Sequence, residues 1–325
     1  MTANGGDAGR AAAAAPPAAD ATLRHEAVFY RTPAEYRAAV LPFVTDGLAR
    51  GEAVLVALPG AAGEAIRLGL DGQASGASFT DMAQLGRNPS RIISALWDLV
   101  DRGHGQPARF VGEHIWPGRS NAEIREAQAR EAAINTAFAA VPLTVLCPYD
   151  AARLPAEVID AVARTHPVLR AGQRSWRSPE FGADPLPGLT SPALTPPPAT
   201  AGRLDYTTDL RAVRDFVASH ARDAGLAEDR ATDLVLAAGE VAANTIAHTA
   251  GGGTLVIWRT GTELICQVTD HGQITDPLVG LRRPAETRGL GLWVVHQVCD
   301  LVELRSDRAG TTVRMHMCLP RGGET

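Results

Sequence analysis

A proline-rich segment near the middle of the chain divides the sequence into two parts that must fold separately. Residues 171–203 contain seven prolines, including the run Pro196-Pro197-Pro198. Proline fixes φ and removes an N–H donor, so this segment favours a semi-rigid linker over a packed core. We therefore expect a disordered Ala-, Gly- and Pro-rich tail at 1–22, a domain at 23–170, the linker at 171–203 and a second domain at 204–320.

The first predicted domain alternates short apolar runs with amphipathic stretches. Strands buried on both faces are predicted at 27–30, 53–58, 109–115 and 143–147. Helices are predicted from the N-cap Thr32 to about 51, from 88 onward, at 121–140 and at 155–165. This alternation predicts an α/β domain with a mainly parallel sheet. It contains neither G-x-x-x-x-G-K nor G-x-G-x-x-G, so no nucleotide-binding motif is visible there.

The second predicted domain has a different order of elements. Two helices are predicted at 208–225 and 227–250, and a third at 291–299. Strands are predicted at 254–259, 263–270, 302–306 and 311–319. This order predicts an α+β sandwich with helices on one face of a mixed sheet.

All 31 basic residues of the chain are arginines, and lysine is absent. The absence excludes P-loop hydrolases and protein kinases of the common eukaryotic type, since both need a lysine at the phosphates. It also excludes Schiff-base chemistry, which needs a nucleophilic amine. Any ATP site in this chain must therefore use carboxylates, amides, backbone N–H groups and arginine.

Charge and apolar runs limit the partners and the compartment. A net charge of −5 and a pI near 6.0 argue against direct nucleic-acid binding. The longest apolar runs are too short to cross a bilayer and no secretory signal is visible, so we expect a cytoplasmic protein without membrane contact. Because the four cysteines, Cys147, Cys266, Cys299 and Cys318, lie far apart, we expect buried thiols and neither a disulfide nor a zinc site.

One predicted helix carries three polar side chains at four-residue spacing. Glu240, Asn244 and His248 share one helix face. A carboxylate one turn before an amide offers a general base beside a neutral oxygen ligand for Mg²⁺. Taken alone, this helix is explained more simply by a polar face turned to water.

Three glycine-containing segments follow that helix. Asp270-His271-Gly272 ends a predicted strand, where the carboxylate can accept a hydrogen bond from an adenine amino group; an ordinary turn is the alternative. Arg288-Gly289-Leu290-Gly291-Leu292 opens a helix whose first N–H groups and dipole favour a phosphate. Gly310-Thr311-Thr312 opens the last predicted strand, with hydroxyl groups that can reach a base.

In this order and spacing, the four segments resemble the N, G1, G2 and final boxes of the GHKL (histidine-kinase-like) ATPases, over about residues 204–320. Within that superfamily they look most like the small anti-sigma-factor serine kinases. The resemblance implies a Bergerat α+β sandwich with ATP under a lid between the G1 and G2 boxes. It implies these roles: Glu240 as general base, Asn244 as Mg²⁺ ligand, Asp270 and Gly272 at adenine, Arg288, Gly289 and Gly291 near the phosphates, and Thr312 near adenine. The family's second G1 glycine is replaced by Ile274.

This resemblance implies an ATP-dependent protein serine/threonine kinase. It would hold a sigma factor and phosphorylate an anti-sigma antagonist of STAS type. One alternative is a non-catalytic module that binds ATP and sequesters a partner. A sensor histidine kinase is disfavoured, because no phosphoacceptor helix precedes Leu204 and the linker prolines would break a coiled coil. The sequence leaves a homodimer open.

The first domain also carries short motifs that occur together: Phe29-Tyr30, Glu35-Tyr36, GEHIWPGRS at 112–120, Cys147-Pro148-Tyr149-Asp150 and His166-Pro167. Over about residues 25–169 they resemble the MEDS sensory domain. That domain precedes such kinases in actinobacterial regulators and is thought to sense small organic ligands. Glu113, His114, Trp116 and Cys147 are expected at strand ends, where open α/β sheets place ligands. Core packing is the alternative for each of them singly, while the domain as a whole is expected to bind a small molecule.

Overall fold

The computed structural model of this protein describes residues 22–182, 194–249, 251–285 and 289–320. The predicted tail up to residue 21, the centre of the proline-rich segment and Arg288 lie outside the described residues. In the described ranges, no helix combines the length and the apolar character needed to cross a membrane.

The first sheet has seven strands in the order β3-β2-β4-β5-β1-β6-β7. These strands are β1 Arg24–Tyr30, β2 Ala53–Leu58, β3 Ala77–Asp81, β4 Ala108–Gly112, β5 Leu143–Asp150, β6 Val168–Ala171 and β7 Arg174–Arg177. Neighbouring strands are parallel, except for β6 and β7, which form an antiparallel hairpin at one edge. The mainly parallel α/β sheet expected from the sequence is thus confirmed.

Helices cover both faces of this sheet. They are α1 Pro33–Ala49, α2 Gly60–Gly69, α3 Met82–Leu85, α4 Ser90–Arg102, α5 Asn121–Ala137 and α6 Ala156–Thr165. Helices α1 and α2 pack on one face, and α4, α5 and α6 pack on the other. The predicted N-cap of α1 is confirmed, since the Thr32 side chain accepts a hydrogen bond from the Glu35 amide.

Two parts of the first domain were not expected. Helix α2 and strand β3 occupy a stretch for which the apolar pattern gave no prediction. Strand β7 lies inside the segment assigned to the linker, where Arg174–Arg177 pair with β6. Its residues are exposed, so the apolar pattern that marks a buried strand is missing.

The second sheet has five strands in the order β11-β12-β10-β9-β8. These strands are β8 Gly202–Tyr206, β9 Gly253–Arg259, β10 Glu263–Asp270, β11 Leu301–Asp307 and β12 Gly310–Cys318. All pairs are antiparallel, so the expected mixed sheet is wrong. Two of these pairs, β9 with β10 and β11 with β12, are joined by short turns, which allow only antiparallel pairing.

Three helices lie with this sheet: α7 Leu210–Asp223, α8 Glu228–His248 and α9 Leu290–Val298. Their buried side chains, including Val217, Leu234 and Val295, share one core with the inner face of the sheet. The predicted α+β sandwich is confirmed. Helices α8 and α9 also contact each other, and their contact positions the candidate site described below.

The two domains contact each other through α4 and α5. The Asn88 side chain donates to the carbonyl of His296 over 3.0 Å, and Arg91 donates to the carbonyl of Cys299 over 3.0 Å. These acceptors lie at the carboxyl end of α9, where carbonyl groups lack partners within the helix and the helix dipole is negative. An amide and a guanidinium of the first domain therefore stabilise the end of a helix in the second.

The loop between β10 and α9 also packs on the first domain. Leu281 is buried in the core formed by α4 and the first sheet, and Leu278 packs against it. The Ser94 hydroxyl donates to the Leu281 carbonyl over 3.0 Å. The Arg282 guanidinium lies 3.8 Å from the centre of the Trp97 ring, which favours a cation–π contact. This loop thus connects the cores of both domains.

Candidate functional site

A cavity of about 500 Å³ opens between α8, the end of β10, the start of β12 and the start of α9. Its size falls within the usual range of small-molecule sites. The lining residues are Val241, Asn244, Thr245, His248, Thr249, Asp270, Gly272, Gln273, Ile274, Thr275, Asp276, Val279, Gly289, Leu292, Thr311 and Val313. The structure thus brings together Asn244, Asp270, Gly272 and Gly289, which the sequence predicted from three separate segments.

Asp270 ends β10 and is held by two hydrogen bonds. Its Oδ2 accepts from the Thr245 hydroxyl over 2.7 Å, and its Oδ1 accepts from the Gly272 amide over 2.7 Å. Each carboxylate oxygen retains a second lone pair, so the group can still accept from a ligand. A fixed acceptor in a partly apolar cavity suits recognition of an amino group.

Glycine is required where β12 begins beside Asp270. Gly310 has φ +140°, and a Cβ there would collide with the carbonyl oxygen of Asp270. Gly272 is also confined, because a Cβ would lie 2.9 Å from the Thr249 methyl group. Gly272 lines the cavity, and Gly310 lets the backbone at the start of β12 approach Asp270 beside it.

Glu240 and Asn244 converge on the first turn of α9. A Cβ at Gly291 would lie 2.9 Å from Oε2 of Glu240 and 3.2 Å from Nδ2 of Asn244. Gly291 thus allows a carboxylate and an amide, one turn apart on α8, to approach the start of another helix. Asn244 lines the cavity, whereas Glu240, about 6 Å earlier on α8, is not among its lining residues.

Gly289 is the N-cap of helix α9 and adopts the left-handed conformation with φ +81°. The first N–H groups of a helix lack partners within it and carry the positive end of the dipole. Because Gly289 lines the cavity, this end of α9 offers a surface suited to phosphate. Arg288, expected beside it, lies outside the described residues.

Thr312 does not line this cavity, contrary to the sequence-based expectation. Strand β12 points Thr311 into the cavity, and Thr312 faces the opposite side of the sheet, where its hydroxyl lies 3.2 Å from that of Thr269. The Thr311 hydroxyl donates to the Gly272 carbonyl over 2.9 Å and lies 2.8 Å from the Ser306 hydroxyl. Adjacent residues of a strand face opposite sides of the sheet, so the threonine of β12 that lies at the cavity is Thr311, one position before the predicted Thr312.

Three residues at the site have no assigned role in the sequence-based prediction. The Thr245 hydroxyl orients Asp270. His248, on the same helix face as Asn244, lines the cavity. Ile274 replaces a family glycine, and its amide donates to the Ser306 hydroxyl over 2.8 Å. Thr245 could have been found from the sequence because it directly follows Asn244 on α8, next to the helix face that carries Glu240, Asn244 and His248.

The first domain has a cavity of its own, of about 480 Å³, at the carboxyl ends of β1 and β5. Tyr30 and Tyr36 line it, and the Tyr30 hydroxyl donates to Oε1 of Glu113 over 2.9 Å. Burial raises the pKa of Glu113 to about 7, against the opposing effect of the Tyr30 hydrogen bond. The expected strand-end position of Glu113 is therefore confirmed, because it directly follows β4.

The other strand-end candidates of the first domain lie elsewhere. Trp116 stacks on Arg119, with 3.9 Å from the guanidinium carbon to the ring centre. Cys147 lies inside β5, which continues to Asp150, so its expected strand-end position is wrong. Cys147 and His114 both belong to a buried group around Glu131.

The fold defines a two-domain protein in which a mainly parallel α/β domain is joined to an antiparallel α+β sandwich with a cavity beside α8. Residues 24–167 match the model of MEDS, the methanogen/methylotroph DcmR sensory domain. Residues 205–317 match the model of the histidine kinase-like ATPase domain. This chain is a MEDS domain fused to a histidine kinase-like ATPase domain. No curated protein matches the chain.

Proposed function

We propose that this protein is an ATP-dependent protein serine/threonine kinase of the anti-sigma type, gated by its MEDS domain. The observation that supports a kinase is the convergence of Glu240 and Asn244 on Gly291. A carboxylate beside a magnesium-type ligand, at a helix start suited to phosphate, provides the groups that transfer to a hydroxyl requires.

Each residue has a defined role in this proposal. Asp270 accepts a hydrogen bond from the adenine amino group, since Thr245 and Gly272 already fix the orientation of its carboxylate. The Asn244 side-chain oxygen holds Mg²⁺, which neutralises phosphate charge when bound. Glu240 takes the proton from the substrate hydroxyl. The start of α9 at Gly289 and Gly291 contacts the phosphates.

The proposed partners are a sigma factor and a STAS-type anti-sigma antagonist that carries the phosphorylated serine or threonine. Support comes from the resemblance of the site segments to the anti-sigma serine kinases and from the net charge of −5, which disfavours a nucleic-acid partner. We place this activity in the cytoplasm, with a small molecule bound by the MEDS domain at the Tyr30 cavity.

Gating is supported by the contacts of the β10–α9 loop, which occupies the position of the lid. Its Leu281 carbonyl accepts from Ser94 of α4, and Arg282 pairs with Asp101 of the same helix over 3.3 Å. The loop also lines the nucleotide cavity through Gln273 and Val279. A ligand that shifts α4 therefore changes the contacts that hold this loop, and with them access to the cavity.

The test is incubation of the full chain with labelled ATP and candidate antagonists. Glu240→Ala should keep ATP affinity nearly unchanged and slow phosphoryl transfer by about 10²–10⁴-fold. Asn244→Ala should lose both Mg²⁺-dependent ATP binding and transfer. Glu228→Ala, at an exposed position on the same helix, is the matched control and should behave as wild type.

A non-catalytic module that sequesters its partner gives a different pattern. Partner binding would then follow ATP occupancy, Glu240→Ala would equal wild type, and no serine or threonine of any partner would be labelled. That pattern, together with normal ATP binding, would replace the kinase assignment with the sequestering one.

A further inference from the structure

Four side chains from distant parts of the first domain meet in its interior. His25 lies on β1, Glu131 on α5, Cys147 on β5 and His166 directly after α6. All four are fully buried. Each offers an atom that can bind a metal ion, and these atoms all lie within 4.8 Å of one another.

The distances are those of a compact coordination shell. Oε2 of Glu131 lies 3.1 Å from Nε2 of His25, 3.5 Å from Sγ of Cys147 and 3.4 Å from Nε2 of His166. Sγ of Cys147 lies 3.4 Å from Nε2 of His25. Ligands at zinc bond lengths in a tetrahedron are about 3.3–3.7 Å apart. These four pairs already have nearly this spacing, and all the ligand atoms lie within 4.8 Å of one another.

The hydrogen bonds around His25 fix its tautomer. The Asn135 amide nitrogen donates to the carbonyls of Glu131 and Thr165, which can only accept, so its oxygen faces His25. Nδ1 of His25 lies 3.0 Å from that oxygen and must be the donor. In the neutral form, a proton on Nδ1 leaves the lone pair of Nε2 directed at the cluster.

His166 is arranged in the same way. Its Nδ1 lies 3.2 Å from the Val162 carbonyl oxygen and 2.9 Å from the Thr165 hydroxyl, which itself donates to that carbonyl. With the Thr165 proton directed at the carbonyl, both oxygens act as acceptors for a proton on Nδ1. Nε2 of His166 then also presents a lone pair, and it has no hydrogen-bond partner among the described residues. Outer hydrogen bonds of this kind orient the histidines of metal sites.

The carboxylate of Glu131 is held so that one oxygen faces the cluster. Oε1 accepts from the Tyr149 hydroxyl over 2.8 Å, and Nδ1 of His114 lies 2.7 Å from it without hydrogen-bond alignment. The other oxygen, Oε2, faces His25, Cys147 and His166. At this centre the Cys147 thiol is the donor, and it faces three acceptor atoms: Nε2 of His25, Oε2 of Glu131 and Nε2 of His166. Because one proton cannot satisfy three buried acceptors, a cation would stabilise the group.

We propose that His25, Glu131, Cys147 and His166 form a binding site for a divalent transition-metal cation, with zinc the best fit. Two neutral imidazoles, a carboxylate and a thiolate carry a total charge of −2, so a divalent ion makes the buried centre neutral. Binding replaces the thiol proton by the metal, and this proton is released to solvent. Nitrogen, oxygen and sulfur ligands in a tetrahedron suit Zn²⁺.

The test is the metal content of the full chain, purified without chelator and freed of any affinity tag. We expect about one transition-metal ion per chain by elemental mass spectrometry. Cys147→Ala should reduce this content at least tenfold. The matched control is Cys266→Ala, which removes an equally buried thiol from a strand of the other sheet and should keep the metal.

Cobalt provides a readout independent of activity. Co²⁺ added to metal-free protein should give the visible bands of a tetrahedral site and a thiolate charge-transfer band, which Cys147→Ala loses and Cys266→Ala keeps. Glu131→Gln, which preserves size, serves if Cys147→Ala fails to fold, and should bind Co²⁺ at least tenfold more weakly. Folded wild-type protein that neither retains a metal nor binds Co²⁺ or Zn²⁺ would overturn the proposal, as would binding unchanged by these variants.

Discussion

Arg305 of β11 and Glu126 of α5 form a buried ion pair between the two domains, with 2.9 Å between Nη1 and Oε1. Glu126 also accepts from Arg130 of its own helix over 3.0 Å. Helix α5 therefore carries Glu126 at the domain contact and Glu131 in the buried cluster, five residues apart. A displacement of Glu131 in the cluster would therefore move the same helix that contacts Arg305 in the sheet of the ATPase domain.

The first prediction concerns this ion pair. Arg305→Ala leaves Glu126 with one buried partner in place of two, so the free energy of unfolding should fall by up to about 3 kcal/mol. Urea unfolding of the full chain measures the change. Arg308→Ala, an exposed arginine on the adjoining turn, should change stability by less than about 0.5 kcal/mol. Equal effects of the two substitutions would contradict a stabilising role for the pair.

The second prediction concerns the pH dependence of stability due to Glu113. Burial raises its pKa from 4.5 to about 7, so the folded state binds a proton more tightly than the unfolded state. This contribution is fully present below pH 4.5 and is lost as pH rises through 7. Glu113→Gln removes this titrating group. The free energy of unfolding of the variant, relative to that of wild type, should therefore rise by about 3 kcal/mol between pH 4.5 and 8.

Denaturant unfolding at the two pH values measures this difference. The exposed Glu157 provides the control, and Glu157→Gln should show the same stability difference from wild type at both. A stability difference between Glu113→Gln and wild type that does not change with pH would show that Glu113 does not titrate in this range.

The third prediction separates Thr311 from Thr312. The Thr311 hydroxyl connects the Gly272 carbonyl with Ser306 under the cavity, whereas Thr312 faces the other side of the sheet. Thr311→Val should weaken ATP binding about tenfold, because a buried acceptor loses its donor. Thr312→Val should leave ATP binding within about twofold of wild type. Calorimetry measures the ATP affinity of both variants. A larger loss of affinity in Thr312→Val than in Thr311→Val would support the sequence-based assignment of Thr312.

The fourth prediction concerns base recognition by Asp270. Asp270→Asn puts an amide nitrogen where one of two donors, the Thr245 hydroxyl or the Gly272 amide, now points. ATP affinity should fall by more than about tenfold while GTP affinity changes little, which lowers the preference for adenine. Asp276→Asn, an exposed carboxylate at the same cavity, is the control and should keep that preference.

Much of the fold could be predicted from the sequence because its elements carry local signals. The predicted bounds of strand β10, 263–270, are those found in the structure, and the start of α1 follows from the N-cap Thr32. Helix α2 was missed because its small residues, GAAGEAIRLG, bury little beyond Ile66. A weakly buried helix lacks the periodic pattern on which prediction depends.

The candidate nucleotide site was largely predictable, and the buried cluster was not. Glu240 and Asn244 lie four residues apart on one helix, a spacing visible in the sequence. His25, by contrast, meets Glu131 across 106 residues and Cys147 across 122. Such contacts depend on the strand order, which places β1 beside β5, and no local sequence pattern predicts that order.

Helix α9 has a consequence for how the protein would respond in a cell. It has nine residues, begins at the candidate nucleotide cavity and ends at carbonyl groups held by Asn88 and Arg91 of the MEDS domain. Coupling between two binding sites is reciprocal. If a MEDS ligand changes ATP affinity by some factor, ATP must change the affinity for that ligand by the same factor. The energy status of the cell would thus set the ligand concentration at which the sensor responds.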